Sequence, residues 1–169
     1  MGGVRSGKSN YAVQIAKNIG NKVTFVATGE PLDDEMKTRI QEHKKNRPRQ
    51  WRTIEQNRGI AGILAEETEQ PEVILIDCLT LLVSNILVQT IELSEVENEL
   101  LIEINEIISY MKQSQSHFIL VSNEVGLGVV PDTKLGRIYR DMLGKVNQLI
   151  AENATEVYFM VAGIPLKIR

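Results

Sequence analysis

Two kinds of apolar run alternate along this chain of 169 residues. Some are short and continuous: Val23-Thr24-Phe25-Val26-Ala27, Val73-Ile74-Leu75-Ile76 closed by Asp77, His117-Phe118-Ile119-Leu120-Val121, and Val157-Tyr158-Phe159-Met160-Val161. Unbroken runs of this length mark strands covered on both faces. Others recur at helical spacing. Tyr11, Ala12, Ile15, Ala16 and Ile19 predict a helix over residues 7–19, which Gly20 ends. Residues 34–45 predict a second, opened by the acids Asp33, Asp34 and Glu35. Ser94-Glu95-Val96-Glu97 has the form of a capping box before an amphipathic helix reaching Met111. Pro131-Asp132 opens a long helix to Ala151, and Gly163-Ile164-Pro165 turns the chain into a short last segment, Leu166-Lys167-Ile168.

Strands alternating with helices imply βαβ crossovers and a mostly parallel sheet, in which ligands bind at the carboxyl ends of the strands. Thr28, Asp77 and Asn123-Glu124 each follow an apolar run and so converge on one edge. That edge is the expected site.

The length suits one domain over residues 1–169. With 43% hydrophobic and 24% charged residues, a disordered chain is excluded. Lys and Arg number 19 against 22 Asp and Glu, and a net charge of -3 argues against a coat for nucleic acid or anionic membrane. No run approaches the ~20 apolar residues of a membrane span. Cys78 is the only cysteine, so there is no intramolecular disulfide and no cysteine-based zinc site, and His43 and His117 are too far apart for a short metal-binding pair. The cytoplasm is the expected compartment.

Gly2-Gly3-Val4-Arg5-Ser6-Gly7-Lys8-Ser9 matches the phosphate-loop pattern G-x-x-x-x-G-K-S/T. Its glycines let main-chain N–H groups turn inward around a phosphate. Lys8 reaches the β- and γ-phosphates, Ser9 offers a hydroxyl to Mg²⁺, and the following helix points its positive end at the same anion. The first residues also fit the loose myristoylation pattern M-G-x-x-x-S/T, but the phosphate loop reads them better. Such a loop joins a strand to a helix, yet only Met1 precedes Gly2. The strand that should carry the loop, usually an interior one, is missing; a late chain start is the preferred explanation, loss of the strand the other. One flank of the loop is then expected to be unanchored.

The loop alone permits a kinase, a GTPase, an ATPase or a motor, and the guanine motif N-K-x-D is absent. The rest of the chain discriminates. Val26-Ala27-Thr28-Gly29, Asp33-Asp34-Glu35-Met36, Arg39-Ile40-Gln41-Glu42-His43, Arg47-Pro48 and Trp51-Arg52-Thr53-Ile54-Glu55 follow the loop in order. Then come Ile76-Asp77-Cys78-Leu79-Thr80 with Asn85, Ser122-Asn123-Glu124-Val125-Gly126, Val130-Pro131, Arg140-Asp141, Asn147-Gln148 and Ala162-Gly163-Ile164-Pro165. From Gly2 to the C-terminus the chain resembles the bifunctional adenosylcobinamide kinase/adenosylcobinamide-phosphate guanylyltransferase family of cobalamin biosynthesis.

The resemblance implies an α/β fold of the RecA-like P-loop NTPase kind, with a mostly parallel sheet, helices on both faces and a short antiparallel segment at the C-terminus. It implies a corrinoid substrate, GTP and ATP as nucleotides, Mg²⁺, and a homotrimer. A nucleoside triphosphate phosphorylates the aminopropanol hydroxyl; GTP then loses pyrophosphate to leave GMP on a histidine, which passes it to the cobinamide phosphate. The guanylylated histidine matches His43. The GTP contacts match Gly2, Gly3, Val4, Arg5, Ser6, Gly7, Lys8 and Ser9, then Ala27-Thr28-Gly29, Lys44, Lys45, Asn46 and Arg47, with Glu55 and Asp77.

Residue chemistry gives these assignments independent weight. Neutral imidazole is a nucleophile at pH 7, and Lys44, Lys45, Arg47 and Arg49 can stabilise departing pyrophosphate beside His43. By spacing alone His43 would instead edge an apolar stripe with Met36 and Ile40. The basic run Lys44–Arg52 holds one aromatic, Trp51, too few for a stacking platform, so phosphate is preferred to nucleic acid. Asp77 is a candidate Mg²⁺ acid; whether it meets metal or base stays open. Asp33, Asp34 and Glu35 read better as a helix start than as metal ligands. Cys78 and His117 read as structural, and Asn123-Glu124 as a contact to substrate or to a water on Mg²⁺. Two other readings are a simple P-loop kinase of a small metabolite, with His43 idle, and a non-catalytic GTP-binding or assembly module.

Overall fold

A computed structural model describes residues 1–30, 34–45 and 47–169, without the side chains of residues 35, 36, 39, 42, 43 and 45. Asp33 and Asn46 therefore lie outside the described residues, and His43 and Lys45 are described by their backbone alone. In chain order the elements are α1 (Lys8–Ile19), β1 (Val23–Ala27), α2 (Asp34–Lys45), β2 (Arg52–Glu55), α3 (Ile60–Ala65) and β3 (Val73–Asp77). There follow α4 (Leu79–Gln89), α5 (Val96–Gln113), β4 (His117–Val121), α6 (Lys134–Asn153), β5 (Tyr158–Val161) and β6 (Ile164–Lys167).

β1 to β4 pair in parallel in the order β2-β1-β3-β4, and β5 and β6 form a separate antiparallel ribbon. This is the α/β arrangement of a P-loop NTPase. Side-chain alternation gives each face of the sheet its own core. Val23, Phe25, Val73 and Leu75 face α1 through Ala12 and Ala16. Val26, Ile74 and Ile76 face the other way, into the side chains of α3, α4, α5 and α6. Because the strands are parallel and in register, Glu55, Ala27, Asp77 and Val121 stand in one row at the carboxyl edge.

Several expectations change at this level. Ser94 does not cap α5: the helix starts at Val96, Glu95 occupies its N-terminal flank without a side-chain cap, and a turn closed by Glu95 N–H on Glu92 O precedes it. Glu97 and Glu99 in the first turn favour the helix dipole instead. α6 starts at Lys134 rather than Pro131, capped by Thr133, whose hydroxyl oxygen accepts from Gly136 N–H at 3.1 Å.

The loop's first flank is also anchored, contrary to expectation. Gly2 bridges in parallel to Asn123 beyond β4 and to Met160 in β5. The Met1 ammonium donates to Tyr158 O at 2.7 Å, Met160 N–H donates to Met1 O at 2.8 Å, and Glu124 N–H donates to Gly2 O at 3.0 Å. Met1 and Gly2 thus sit between β4 and β5, where an interior strand of the sheet would end.

Candidate nucleotide site

Two of the glycines of the first loop, Gly2 and Gly7, are there for steric reasons. A Cβ on Gly2 would lie 2.6 Å from Met160 O and 2.9 Å from Ser6 Oγ, and Gly2 has φ 147°. Gly7 ends the loop at φ 92°, with a Cβ position 3.3 Å from Gly163 Cα in the β5–β6 turn. Arg5, between them, also takes positive φ, 54°. Alternating backbone handedness of this kind turns successive N–H groups toward one centre, an anion nest. α1 begins at once, at Lys8, with no side-chain cap on its free N–H groups, so its positive end adds to the nest. The ribbon backs the loop through Gly163 N–H, which donates to Ser6 O at 3.0 Å.

Lys8 Nζ donates to Gly3 O at 2.6 Å, folding the ammonium back across its own loop. Burial lowers its pKa, with the charges of Cys78 and Asp77 acting in the opposite direction. Ser9, half-buried in the first turn of α1, is next in line.

A second cationic group stands at the far end of the same edge. The Arg47 guanidinium lies over the Phe25 ring, 4.0 Å from its centroid. Burial lowers its pKa, opposed by the charges of Asp77 and Glu55. Its Nε and Nη1 are buried without a hydrogen bond. Beside it Lys44 is ion-paired with Glu55, both side chains being about half exposed. These side chains border a shallow cavity of about 230 Å³ whose floor is the buried Trp51.

Among the described residues, three buried side-chain polar atoms lack a hydrogen bond: Ser6 Oγ and the two Arg47 nitrogens. Each such atom costs about 1–3 kcal/mol when left unpaired. All belong to the phosphate loop or the Arg47 corner. Lys8 and Arg47 both feel the Asp77 carboxylate, which ends β3 between them. Two cationic side chains within the field of one acid at a strand end suit a polyphosphate.

A model of the cobinamide kinase / cobinamide phosphate guanyltransferase family matches residues 1–168. The chain belongs to that family. It is similar to the bifunctional adenosylcobalamin biosynthesis protein CobP of Pseudomonas aeruginosa, with 41% identity over 169 residues, covering 100% of this chain and 95% of that protein. It is 36% identical over 176 residues to CobU of Escherichia coli, covering 99% of this chain and 97% of that protein. For CobU of Salmonella typhimurium the identity is 38% over 178 residues, with the same shares covered. The activities of this family are those of a kinase and a guanylyltransferase, so the chain is an enzyme.

Within this family member the remaining sequence-derived residues fall into two groups. Thr28 is fully buried, and its hydroxyl is used twice: Oγ1 donates to Cys78 O at 2.7 Å and accepts from Cys78 N–H at 2.8 Å. It ties the ends of β1 and β3 together. Gly29 leaves room for the next layer, since a Cβ there would sit 3.2 Å from Leu81 Cδ1 and 3.5 Å from Ile40 of α2. Ile40 therefore packs α2 over the carboxyl edge, and His43 lies about one turn further along that helix.

Asn85 was not singled out as a site residue by sequence reasoning. Buried in α4, it donates through Nδ2 to Thr28 O at 2.8 Å and to Asn57 O at 3.2 Å. Asn57 in turn donates to Glu30. One amide thus links α4 to the two loops that follow β1 and β2. The available signal was a lone amide in an otherwise apolar helix, which demands buried partners. Asn147 does the same on the other side: Ser122 Oγ donates to its Oδ1 at 2.6 Å, and its Nδ2 donates to Asn123 O at 3.0 Å.

Proposed function

We propose that one nucleotide site, formed by the phosphate loop and the Arg47 corner about Asp77, serves both activities, with His43 as the group that changes one into the other. The observation that carries this reading is the set of orphaned buried donors, Ser6 Oγ and Arg47 Nε and Nη1. A triphosphate laid along the carboxyl edge satisfies them all. Ser6 and Lys8 take the β- and γ-phosphates, with Gly2, Gly3, Val4, Arg5, Gly7 and Ser9 lining the same loop. Ala27, Thr28 and Gly29 form the floor by their main chain, and Lys44, Arg47 and Glu55 form the far wall; Lys45 and Asn46 are assigned to the nucleotide from the sequence alone.

In the kinase step the corrinoid hydroxyl attacks the γ-phosphorus of ATP or GTP and the nucleoside diphosphate leaves. Lys8 moves from Gly3 O to the transferring oxygens, where charge develops. In the second reaction a nitrogen of His43 attacks the α-phosphorus of GTP. The bond to the β-phosphate breaks, and pyrophosphate departs into the Lys8 and Arg47 donors. A cobinamide phosphate oxygen then attacks the same phosphorus, releasing neutral His43 and forming the diphosphate of adenosylcobinamide-GDP. Ser9 and Asp77 are a hard-oxygen donor pair suited to Mg²⁺, which would neutralise phosphate charge. Among the described residues no group of three His, Cys, Asp or Glu could hold a metal, so phosphates and water would complete its shell.

Residues 1–169 act as one catalytic unit in this reading, in the cytoplasm; no helix among the described residues is long and apolar enough to cross a membrane. We also assign Ile91, Leu127 and Val129, which are 94%, 80% and 95% exposed, to subunit contacts of a homotrimer, which sedimentation equilibrium tests. The catalytic reading is tested by supplying adenosylcobinamide with ATP and GTP and separating the corrinoid products. His43→Ala should accumulate adenosylcobinamide phosphate and form no adenosylcobinamide-GDP. Loss of both products in a folded His43→Ala chain contradicts the division of roles.

A further inference from the structure

α5 carries an acid on its buried face. Glu103, 5% exposed, lies among Leu100, Ile104 and Ile107 on the side that packs into the larger core. A carboxylate in such a place is costly unless its oxygens are bonded, and both are. Oε2 accepts from Gly59 N–H at 2.8 Å and Oε1 from Ile60 N–H at 3.0 Å. One turn earlier, Glu99 is ion-paired with Arg58 at 2.5 Å and accepts from Thr90 Oγ1 at 2.8 Å. Gly59 holds a left-handed turn, φ 68°, and has no side chain with which to cap α3. The cap comes from α5 instead, so the loop that follows β2 is gripped by one helix at successive residues, Arg58, Gly59 and Ile60.

The same loop holds the floor of the nucleotide edge. Gln56 N–H donates to Ala27 O at 2.9 Å, and Asn57 Nδ2 donates to the Glu30 carboxylate. Asn85 Nδ2 then joins Asn57 O to Thr28 O. α2, which carries His43, follows this floor in the chain and rests on it through Ile40 at Gly29. The phosphate loop is held from elsewhere, by Glu124 N–H on Gly2 O and Gly163 N–H on Ser6 O. We propose that Glu103, helped by Glu99, is a positioning residue for His43: it fixes the loop after β2, that loop fixes Thr28–Glu30, and Thr28–Glu30 seats α2. The inference rests on the reading of His43 as the group that takes GMP. Removing the Glu103 carboxylate should therefore slow attack of His43 on the α-phosphorus more than phosphoryl transfer to the corrinoid, which depends on Lys8 and its loop.

The test takes the ratio of two rates in each chain, both at saturating nucleotide. One is the single-turnover rate at which GTP labelled at the α-phosphate labels the protein; the other is phosphorylation of adenosylcobinamide by ATP. Glu103→Gln keeps the volume and one acceptor, and Glu103→Ala removes both acceptors. Ile104→Val, in the core beside Glu103, controls for lost stability. Labelling should fall at least about tenfold in Glu103→Ala and less in Glu103→Gln, with phosphorylation held within about threefold, because small displacements of a nucleophile cost rate steeply. Ile104→Val should keep the original ratio even where its Tm falls. If Glu103→Ala does not fold, Glu103→Gln and Glu99→Gln, at the partly exposed end of the network, are compared by the same ratio. An unchanged ratio in the folded variants overturns the proposal. So does a ratio that Ile104→Val alters as much as they do, since the acid then only supports the fold. No label on the original chain contradicts the reading of His43 and this inference with it, whereas label on the original chain with an unchanged ratio contradicts this inference alone.

Discussion

The phosphate loop and the Arg47 corner both present a cation to Asp77, but they rest differently. Lys8 satisfies itself on Gly3 O within its own loop. Arg47 has no such partner for Nε and Nη1, because its stacking on Phe25 keeps those nitrogens in a buried place. A flexible ammonium can park and then move with its substrate, while a planar guanidinium is fixed in advance and waits. The Lys8 ammonium is thus the donor that can be redirected and the Arg47 guanidinium the one set in place.

Lys8→Ala breaks the comparison most severely. On the proposed reading both reactions start from a nucleotide held in this loop, so each should fall about 100- to 1000-fold in kcat, as corrinoid product assays would record. Arg47→Ala should weaken GTP binding about tenfold or more, the usual worth of a charged hydrogen bond. It should do so without lowering Tm. The lost cation–π contact is worth about 0.5–2 kcal/mol, whereas two orphaned buried nitrogens cost about 1–3 kcal/mol each. Calorimetry of binding and of unfolding on the same samples checks both halves. Arg47→Lys should not restore binding, because a point charge does not replace the stacked fork.

Glu55→Gln should change stability by less than about 1 kcal/mol, since its pair with Lys44 is about half exposed. A further effect, confined to alkaline pH, concerns Cys78. Burial first, then Asp77, raises its pKa to about 11 from the ordinary 9.0. The folded form therefore keeps its proton longer than the unfolded one, and the stability it lends is complete below pH 9 and lost as pH rises through 11. Thermal melts from pH 8 to 11 should fall more steeply for the original chain than for Cys78→Ala; parallel slopes would contradict the buried thiol.

Much of this was legible before any coordinates. β1 and β3 are continuous apolar runs because neighbours cover both their faces, β4 and β5 carry the same kind of run with less cover, and Gly2 and Gly7 stand where a Cβ would crowd its neighbours. The unread elements share a physical reason. β2 is an edge strand whose Arg52, Thr53 and Glu55 are exposed, so it has neither an apolar run nor strict alternation. α4 is apolar nearly all round because it lies inside the larger core, which erases the helical period. α3 has only six residues, less than two turns. At the site, Lys8 and Asp77 announce themselves by motif and strand end. The knot of Thr28 with Cys78, the bridging amide of Asn85 and the stacking of Arg47 arise between segments distant in sequence, and no local spacing encodes them.

The proposed division between the two activities turns on His43. The most direct measurement is incubation with GTP labelled at the α-phosphate, followed by denaturation and a search for label on the chain. Label that is acid-labile and base-stable, as a phosphoramidate is, and that is absent from His43→Ala, is the predicted result. Acid-stable label, or label that persists in folded His43→Ala, would contradict guanylyl transfer through this histidine.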